Sequence, residues 1–316
     1  MFKGMEYVYE VYKEKSFSKA AQNLYITQPS LSATIKKIEE RLGSPIFDRS
    51  TVPVQLTPVG EEYIKSVEKI MDIEESFSNY LNDINQLKTG RVVIGASNFF
   101  ASFILPPVLN TFDTRYPAVE VVLREADTTS LENQLLQGAL DLVMDIGTFN
   151  TEIFCMRSLF EEKLILAAHK KFGKNKSLSG LELNVDDIIM NRHQAEDFPC
   201  VKLESFRDEP FLMLRSGNDT RIRADKICEA QGFKPKVALK LDQQITAYNL
   251  ACYGMGIAFI SDTLVRQVKP DSNMVYYKLD PRLAKRDVCF CYKHNRYVTK
   301  AMQELIRIAQ ETYSNK

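Results

Sequence analysis

The sequence of 316 residues lacks a net charge, a long apolar run and a leader-like N-terminus. Basic and acidic side chains number 41 each, so no overall positive charge points to a nucleic-acid partner. No stretch of about 18 apolar residues occurs, which predicts that no segment spans a membrane. The first ten residues include two glutamates and no apolar core of a signal peptide, so we expect a cytoplasmic protein.

The sequence also lacks the patterns of metal sites and common enzymes. Its six cysteines are scattered without a CxxC pair, and its three histidines have no metal-ligand spacing with them. We therefore predict reduced cysteines and no cofactor. The GxGxxG, P-loop, GxSxG and HExxH motifs are absent, which argues against an enzyme.

What the sequence does contain is a winged helix-turn-helix pattern over residues 16–57. Ser18 is expected to cap a short helix over 19–24. Thr27 is expected to cap a longer helix that ends at Gly43, with Pro29 tolerated in its first turn. A wing formed by two short strands follows. This pattern predicts binding to duplex DNA.

The longer helix has two unlike faces. Apolar residues spaced four, three and four apart predict its buried face, namely Leu31, Ile35, Ile38 and Leu42. The other face begins with short polar side chains and continues with lysines, the order in which a recognition helix meets base edges and then phosphates. The predicted DNA-binding residues are Ser18, Thr27, Gln28, Pro29, Ser30, Ser32, Ala33, Lys36, Lys37 and, in the wing, Arg49.

A long helical pattern runs from Pro58 to about Leu87. Four apolar residues in it lie seven apart, which is typical of a seam between two helices: Tyr63, Ile70, Phe77 and Ile84. The spacing predicts pairing of this helix with that of a second chain. The alternative is that the helix packs on its own protein.

Beyond Gly90, short apolar strands alternate with helices, which predicts two α/β units with parallel sheets. Ligands bind beyond the carboxyl ends of such strands. Hydroxyl, amide and free N–H groups at 97–99 and 217–220 suit a small anion, most simply a carboxylate. The predicted ligand residues are Ser97, Asn98, Phe99, Thr128, Thr129, Asp145, Gly147, Phe198, Asn218, Thr220, Gln243 and Gln244. Taken singly, each polar residue could instead be a helix cap.

Many residues at fixed spacing in the first 60 positions resemble the LysR-type transcriptional regulators. They are Ser16-Phe17, Ala20-Ala21, Leu24, Thr27-Gln28-Pro29-Ser30-Leu31-Ser32, Ile35, Glu39, Leu42-Gly43, Pro45, Phe47, Arg49, Leu56-Thr57-Pro58 and Gly60. Later stretches such as IGAS at 94–97 and YGMGIAFIS at 253–261 extend the resemblance over nearly the whole chain. Ala33 and Thr34 depart from it, because many members carry Arg and Gln there. Phosphate contacts are therefore expected to rest more on Lys36, Lys37 and Arg49.

The resemblance implies an α/β protein in three parts. These are an α-rich winged helix-turn-helix head over 1–57, a linker and dimerisation helix over 58–88, and an effector-binding domain over 89–316. The last part would have the two-lobed fold of type 2 periplasmic solute-binding proteins. Lobe I would comprise about 89–160 and 267–316, lobe II about 161–266, with chain crossings near 160–164 and 262–268.

The function implied by the resemblance is sequence-specific transcriptional regulation. The partners would be double-stranded promoter DNA, a small-molecule effector between the lobes, RNA polymerase, and further copies of the chain in a homodimer or homotetramer. One alternative is redox sensing through Cys200, with Cys228 as the next cysteine. Another is solute binding without a regulatory role. Residues 170–197 look like an insertion, either a lid near the cleft mouth or a surface excursion.

Overall fold

The computed structural model describes residues 2–84, 90–146, 149–172 and 178–313. Its internal contacts divide the chain into two units, Met1–Leu81 and Asn82–Lys316, which we call the head and the body. No helix in these described ranges combines the length and apolarity needed to cross a membrane.

The head is a small helical unit with a two-stranded wing. Its elements are α1 (Met5–Glu14), α2 (Phe17–Asn23), α3 (Gln28–Leu42), β1 (Phe47–Asp48), β2 (Gln55–Leu56) and the first part of α4 (Pro58–Ile84). Its core is entirely apolar and includes Val8, Val11, Ala20, Ala21, Leu31, Ile35 and Ile38. The small alanines of α2 let the helices approach each other closely.

The ends of the head helices follow local side-chain chemistry, with one correction. Ser16, not Ser18, caps α2, because the Ser16 Oγ accepts a hydrogen bond of 3.4 Å from the Lys19 N–H. Thr27 caps α3 as predicted, and its Oγ1 accepts from the Ser30 N–H at 3.4 Å. Gly43 ends α3 in the left-handed conformation, with φ of 72°.

One residue of the predicted apolar seam of α4 packs inside the head instead. Tyr63 is buried and belongs to the head core together with Ile64 and Val67, so it cannot pair with another chain. Farther along the helix, Ile73 and Phe77 are 68% and 61% exposed. The predicted end of the helix near Leu87 lies outside the described residues.

The body alternates strands and helices, as expected of an α/β fold. Its strands are β3 (Gly90–Ala96), β4 (Val119–Glu125), β5 (Leu142–Ile146), β6 (Phe154–His169), β7 (Pro210–Leu214), β8 (Lys236–Leu241), β9 (Ile257–Ser261), β10 (Met274–Lys278) and β11 (Lys285–Lys293). Its α-helices are α5 (Leu105–Arg115), α6 (Thr128–Leu136), α7 (Val185–Ile189), α8 (Asp219–Ala230), α9 (Gln244–Cys252), α10 (Asp262–Gln267), α11 (Pro281–Ala284) and α12 (Lys300–Tyr313). A π-helical turn, Phe100–Ile104, precedes α5.

The nine strands form two half-sheets that share β6. One half has the order β4-β3-β5-β11-β6, and the other continues β6-β9-β7-β8, with β10 also paired to β6. The strands β3, β4 and β5 pair in parallel, as do β7, β8 and β9. We call the first half, with β6 up to Lys163, lobe I and the second lobe II. The predicted parallel units are therefore present, joined by antiparallel strands.

The first chain crossing is where it was expected, but the second is not. Along β6, Lys163 pairs with β11 of lobe I and Leu164 pairs with β9 of lobe II. After β9 the chain stays in lobe II, because β10 pairs antiparallel with residues 165–169 of β6. It returns to lobe I only at Lys285, the start of β11. The expected second crossing at 262–268 was therefore wrong, since that segment forms α10 instead.

The described part of the predicted insertion packs into lobe II. Leu183 pairs with Tyr276 of β10, and the Arg266 guanidinium of α10 donates to the Ile189 carbonyl and to Asn191. None of its described residues lines the cleft between the lobes that is described below. This placement favours a surface excursion over a lid.

Candidate functional site

The first candidate site is the exposed face of α3. Its first turn is fixed by the Thr27 cap and its inner face by Leu31, Ile35 and Ile38. On the outer face the predicted residues Gln28, Pro29, Ser30, Ala33, Lys36 and Lys37 are exposed, and Ser32 is half-buried. Ser18 is exposed on the first turn of α2. The structure thus presents these side chains to solvent on adjacent helices of a helix-turn-helix.

Arg49 is less free to bind phosphate than the sequence predicted. Its guanidinium forms a 2.9 Å ion pair with Glu39, donates to the Ser32 Oγ at 3.2 Å, and lies 5.0 Å from the ring centroid of Phe17. Glu39 also accepts hydrogen bonds from the backbone N–H groups of Ile46 and Phe47. Glu39 therefore ties the wing to α3 and fixes Arg49, a role that the sequence analysis missed.

The second candidate site is a cleft between the lobes of the body. Two adjoining cavities, of about 530 and 270 Å³, lie beyond the carboxyl ends of the parallel strands. Small-molecule sites typically have volumes of about 300–1,000 Å³. The cavities share six lining residues, which are Thr128, Thr129, Gly217, Asn218, Asp242 and Gln243. Both lobes therefore line one continuous space.

Most of the predicted ligand residues meet in this cleft. Those that line it are Ser97, Asn98, Phe99, Thr128, Thr129, Asp145, Asn218, Thr220, Gln243 and Gln244. Gly147 lies outside the described residues. Phe198 was a wrong prediction, because it lines a separate cavity beside Cys200 and Lys278 in lobe II. The Lys278 ammonium donates to the Phe198 carbonyl at 2.9 Å and holds it there.

Helix capping accounts for part of the cleft geometry. Asp127, not Thr128 or Thr129, caps α6 and accepts from the Ser130 N–H at 2.9 Å. Thr129 is thereby left exposed on the first turn and lines both cavities. In lobe II, Asn218 caps α8 by accepting from the Thr220 N–H at 2.9 Å.

The floor of the cleft contains a buried ionic cluster that the sequence analysis missed. Arg286 of β11 donates to Glu162 of β6 at 2.7 Å, and it reaches lobe II through Asp219 at 3.2 Å and the Thr220 hydroxyl at 2.8 Å. Arg286 and Glu162 are almost completely buried. Burial raises the pKa of Glu162, and the Arg286 charge opposes that rise. The cluster therefore joins the two lobes beside the smaller cavity, which Arg286, Asp219 and Thr220 line.

Asp145, at the end of β5, is the other buried charge of the cleft. Its Oδ1 accepts from the Ile146 N–H at 2.8 Å, whereas its Oδ2 is buried and has no hydrogen-bond partner in the described structure. Burial raises the pKa of this carboxyl to about 6, although the Ile146 N–H, Thr128 and Arg286 oppose the rise. A buried carboxylate with a free oxygen is suited to receive a donor from a ligand.

Comparison with known protein families identifies the family of this chain. A family described as "LysR substrate binding domain" matches residues 85–314, and one described as "Bacterial regulatory helix-turn-helix protein, lysR family" matches residues 2–61. The chain belongs to the LysR family of transcriptional regulators. LysR proteins are DNA-binding regulators and not enzymes, which agrees with the absence of enzyme motifs.

Related LysR-type sequences match along nearly their full length. The HTH-type transcriptional regulator YcgK of Bacillus subtilis is 31% identical over 310 residues, which cover 98% of this chain and 94% of the relative. A probable RuBisCO transcriptional regulator of Cyanidium caldarium is 26% identical over 294 residues, covering 91% and 86%.

Solved LysR-type structures share the fold. A full-length OxyR variant from Pseudomonas aeruginosa superposes with a TM-score of 0.71 at 18% identity, covering 98% of this chain and 94% of that one. Full-length CbnR in complex with its target DNA gives a TM-score of 0.60 at 15% identity, covering 99% of each chain. The α/β architecture with a helix-turn-helix head is thus that of the LysR regulators.

Proposed function

We propose that this protein regulates transcription by binding a specific promoter sequence through α3, under the control of a small molecule bound between the lobes. The observation that carries the proposal is the cleft itself. Helix N-termini from both lobes line one space, so a ligand there contacts both lobes at once. A ligand that favours one arrangement of the lobes shifts the population toward it.

A carboxylate is the simplest group for the lobe II side of the cleft. The Asn218 side-chain amide lines this wall and can donate to a ligand, and the N-terminus of α8 favours negative charge. Thr220 and Gln243 add a hydroxyl and an amide at the same wall. The effector proposed is therefore a small molecule with a carboxylate or similar anionic group.

We also propose that the regulator acts as a homodimer through α4, assembling further into a homotetramer in the cytoplasm and contacting RNA polymerase at the promoter. Met71, Ile73 and Phe77 are exposed on the second half of α4, where water contacts their apolar side chains. A second copy of the helix would cover them. Two heads in one dimer match two half-sites about one DNA turn apart.

Redox sensing through Cys200 has less support. Burial raises the pKa of the Cys200 thiol, and burial raises that of Cys228 to about 12. Both shifts disfavour the reactive thiolate. A solute-binding protein without a regulatory role would not need the helix-turn-helix head.

A gel-shift assay tests the proposed function. Full-length protein is mixed with duplex DNA from the region next to its own gene, with a shuffled duplex as the control. We expect preferential retardation of the native duplex and an affinity that falls as salt rises. Failure to bind that duplex even at low salt would contradict the proposal. DNase footprints with and without a bound ligand then test whether ligand binding alters the DNA complex.

A further inference from the structure

The two walls of the cleft differ in charge. Lobe I lines it with four carboxylates, those of Glu125, Asp127, Glu132 and Asp145. Among the described residues, none of the four forms a salt bridge. The acidic residues of lobe II are already neutralised. Asp242 pairs with Arg215 at 2.6 Å, and Asp219 pairs with Arg223 at 2.8 Å. Uncompensated negative charge is therefore confined to the lobe I wall.

Asp145 adds an independent observation to this acidic wall. Its side chain is 2% exposed, its Oδ2 has no hydrogen-bond partner in the described part of the body, and it lines the smaller cavity. The nearest buried cation, Arg286, is already occupied by Glu162 and Asp219. Buried charges are normally paired, so this carboxylate lacks a cation that a bound molecule would supply.

We propose that the effector is a small zwitterion of the amino-acid type, with its ammonium group on the lobe I wall at Asp145 and its carboxylate at the start of α8 in lobe II. This inference rests on the proposed function, because it requires that the cleft holds the effector. A molecule with only a carboxylate would bring a further negative charge beside four others. A molecule with only an ammonium group would leave the donors of lobe II without an acceptor.

The arrangement also explains how such a ligand would affect both lobes. Opposite walls would bind the opposite charges of one small molecule. Both ends therefore contribute to the binding free energy only when the distance between the walls fits the ligand. A deaminated or decarboxylated analogue would contact one wall alone. Its binding would therefore be weaker, and it would not favour one spacing of the lobes.

A ligand panel on the full-length protein tests the inference. The panel contains the twenty common amino acids, each with its 2-hydroxy acid, which lacks the ammonium group, and its amine, which lacks the carboxylate. Thermal unfolding is followed with each compound at one concentration. We expect at least one amino acid to raise the unfolding temperature, while its hydroxy acid and its amine leave it unchanged. Equal stabilisation by a hydroxy acid, or no stabilisation by any amino acid, would overturn the inference.

Charge-neutral variants locate the ammonium group. Asp145→Asn keeps the shape of the side chain, and we expect it to weaken binding of the stabilising amino acid about 30-fold or more. Glu125→Gln, at the cleft end of β4, is expected to weaken it less. The matched control is Glu120→Gln on the same strand, whose side chain pairs with Arg91 and does not line the cleft. Unchanged affinity in Asp145→Asn would overturn the assignment of the ammonium site.

The two proposals fail in different ways. If the protein retards its promoter duplex but no amino acid binds, the zwitterion inference is wrong and the regulatory function stands. If an amino acid binds with the expected dependence on Asp145 but no promoter duplex is retarded, the ligand site is supported and the proposed function is wrong.

Discussion

The head and the body differ in where they keep polar side chains. Every buried polar or charged side chain among the described residues lies in the body, including Asp145, Glu162, His193 and Arg286. The head has an apolar core, and its polar groups lie at the surface. The head thus presents its polar groups outward. The body, by contrast, holds charge inside, including the Arg286 cluster that joins its lobes.

The sharpest test of this difference is the Arg286 cluster. Arg286→Met leaves Glu162 buried without its partner, and we expect the free energy of unfolding of the body to fall by about 3–5 kcal/mol. Urea denaturation measures the change. Arg282→Met is the control, because its pair with Asp280 is exposed and surface ion pairs contribute little to stability. Equal losses in the two variants would show that burial of the cluster is unimportant.

The next largest effect is the pH dependence caused by Asp145. Burial raises the pKa of this carboxyl from 3.8 to about 6. Its protonated form is favoured in the folded state, so its contribution to stability is full below about pH 4 and is lost as the pH rises through 6. Between those limits we expect the native protein to lose about 3 kcal/mol relative to Asp145→Asn. Parallel pH profiles of unfolding for the two proteins would refute this expectation.

In the head, removing a polar group should cost less. Thr27→Ala deletes the cap of α3, and we expect the free energy of unfolding of the head to fall by about 1 kcal/mol. Thr27→Ser retains the capping hydroxyl and serves as the control, with little change expected. Circular dichroism during thermal unfolding gives the measurement. A loss as large as that of Arg286→Met would remove the contrast between the two regions.

The smallest effect on stability is expected at Lys37. Lys37→Ala removes an exposed side chain of α3 and should change the free energy of unfolding by about 0.5 kcal/mol or less. The same change should weaken promoter binding and lower the salt dependence of that binding by about one phosphate contact. Lys13→Ala on α1 is the control, with no effect on DNA expected. An unaltered salt dependence in Lys37→Ala would exclude a phosphate contact there.

How far the sequence predicts this molecule depends on the range of the interactions. The bounds of α3 follow from Thr27, Gly43 and the apolar spacing between them, all of which are local signals, and these predictions were confirmed. Asp145 was predicted to line the cleft because polar residues at the ends of parallel strands share one edge of a sheet. The start of α2 was missed by two residues, because Ser16 and Ser18 are both plausible caps.

Local sequence patterns could not predict contacts between residues that lie far apart in the chain. Arg286 and Glu162 are 124 residues apart in the chain and meet only because β11 lies beside β6. The predictions of the second chain crossing and of the position of Phe198 were wrong for the same reason. Both depend on the pairing of β10 with β6, which no residue near β10 indicates.

The shared strand β6 limits how the lobes can respond to a ligand. It is 16 residues long and passes from one half-sheet to the other between Lys163 and Leu164 without a loop. Backbone hydrogen bonds hold it on both sides of that point, so it cannot act as a free hinge. Relative movement of the lobes must be a torsion of this strand together with the segment around α11. The fold therefore restricts such movement to twisting of paired backbone rather than the swing of a flexible loop.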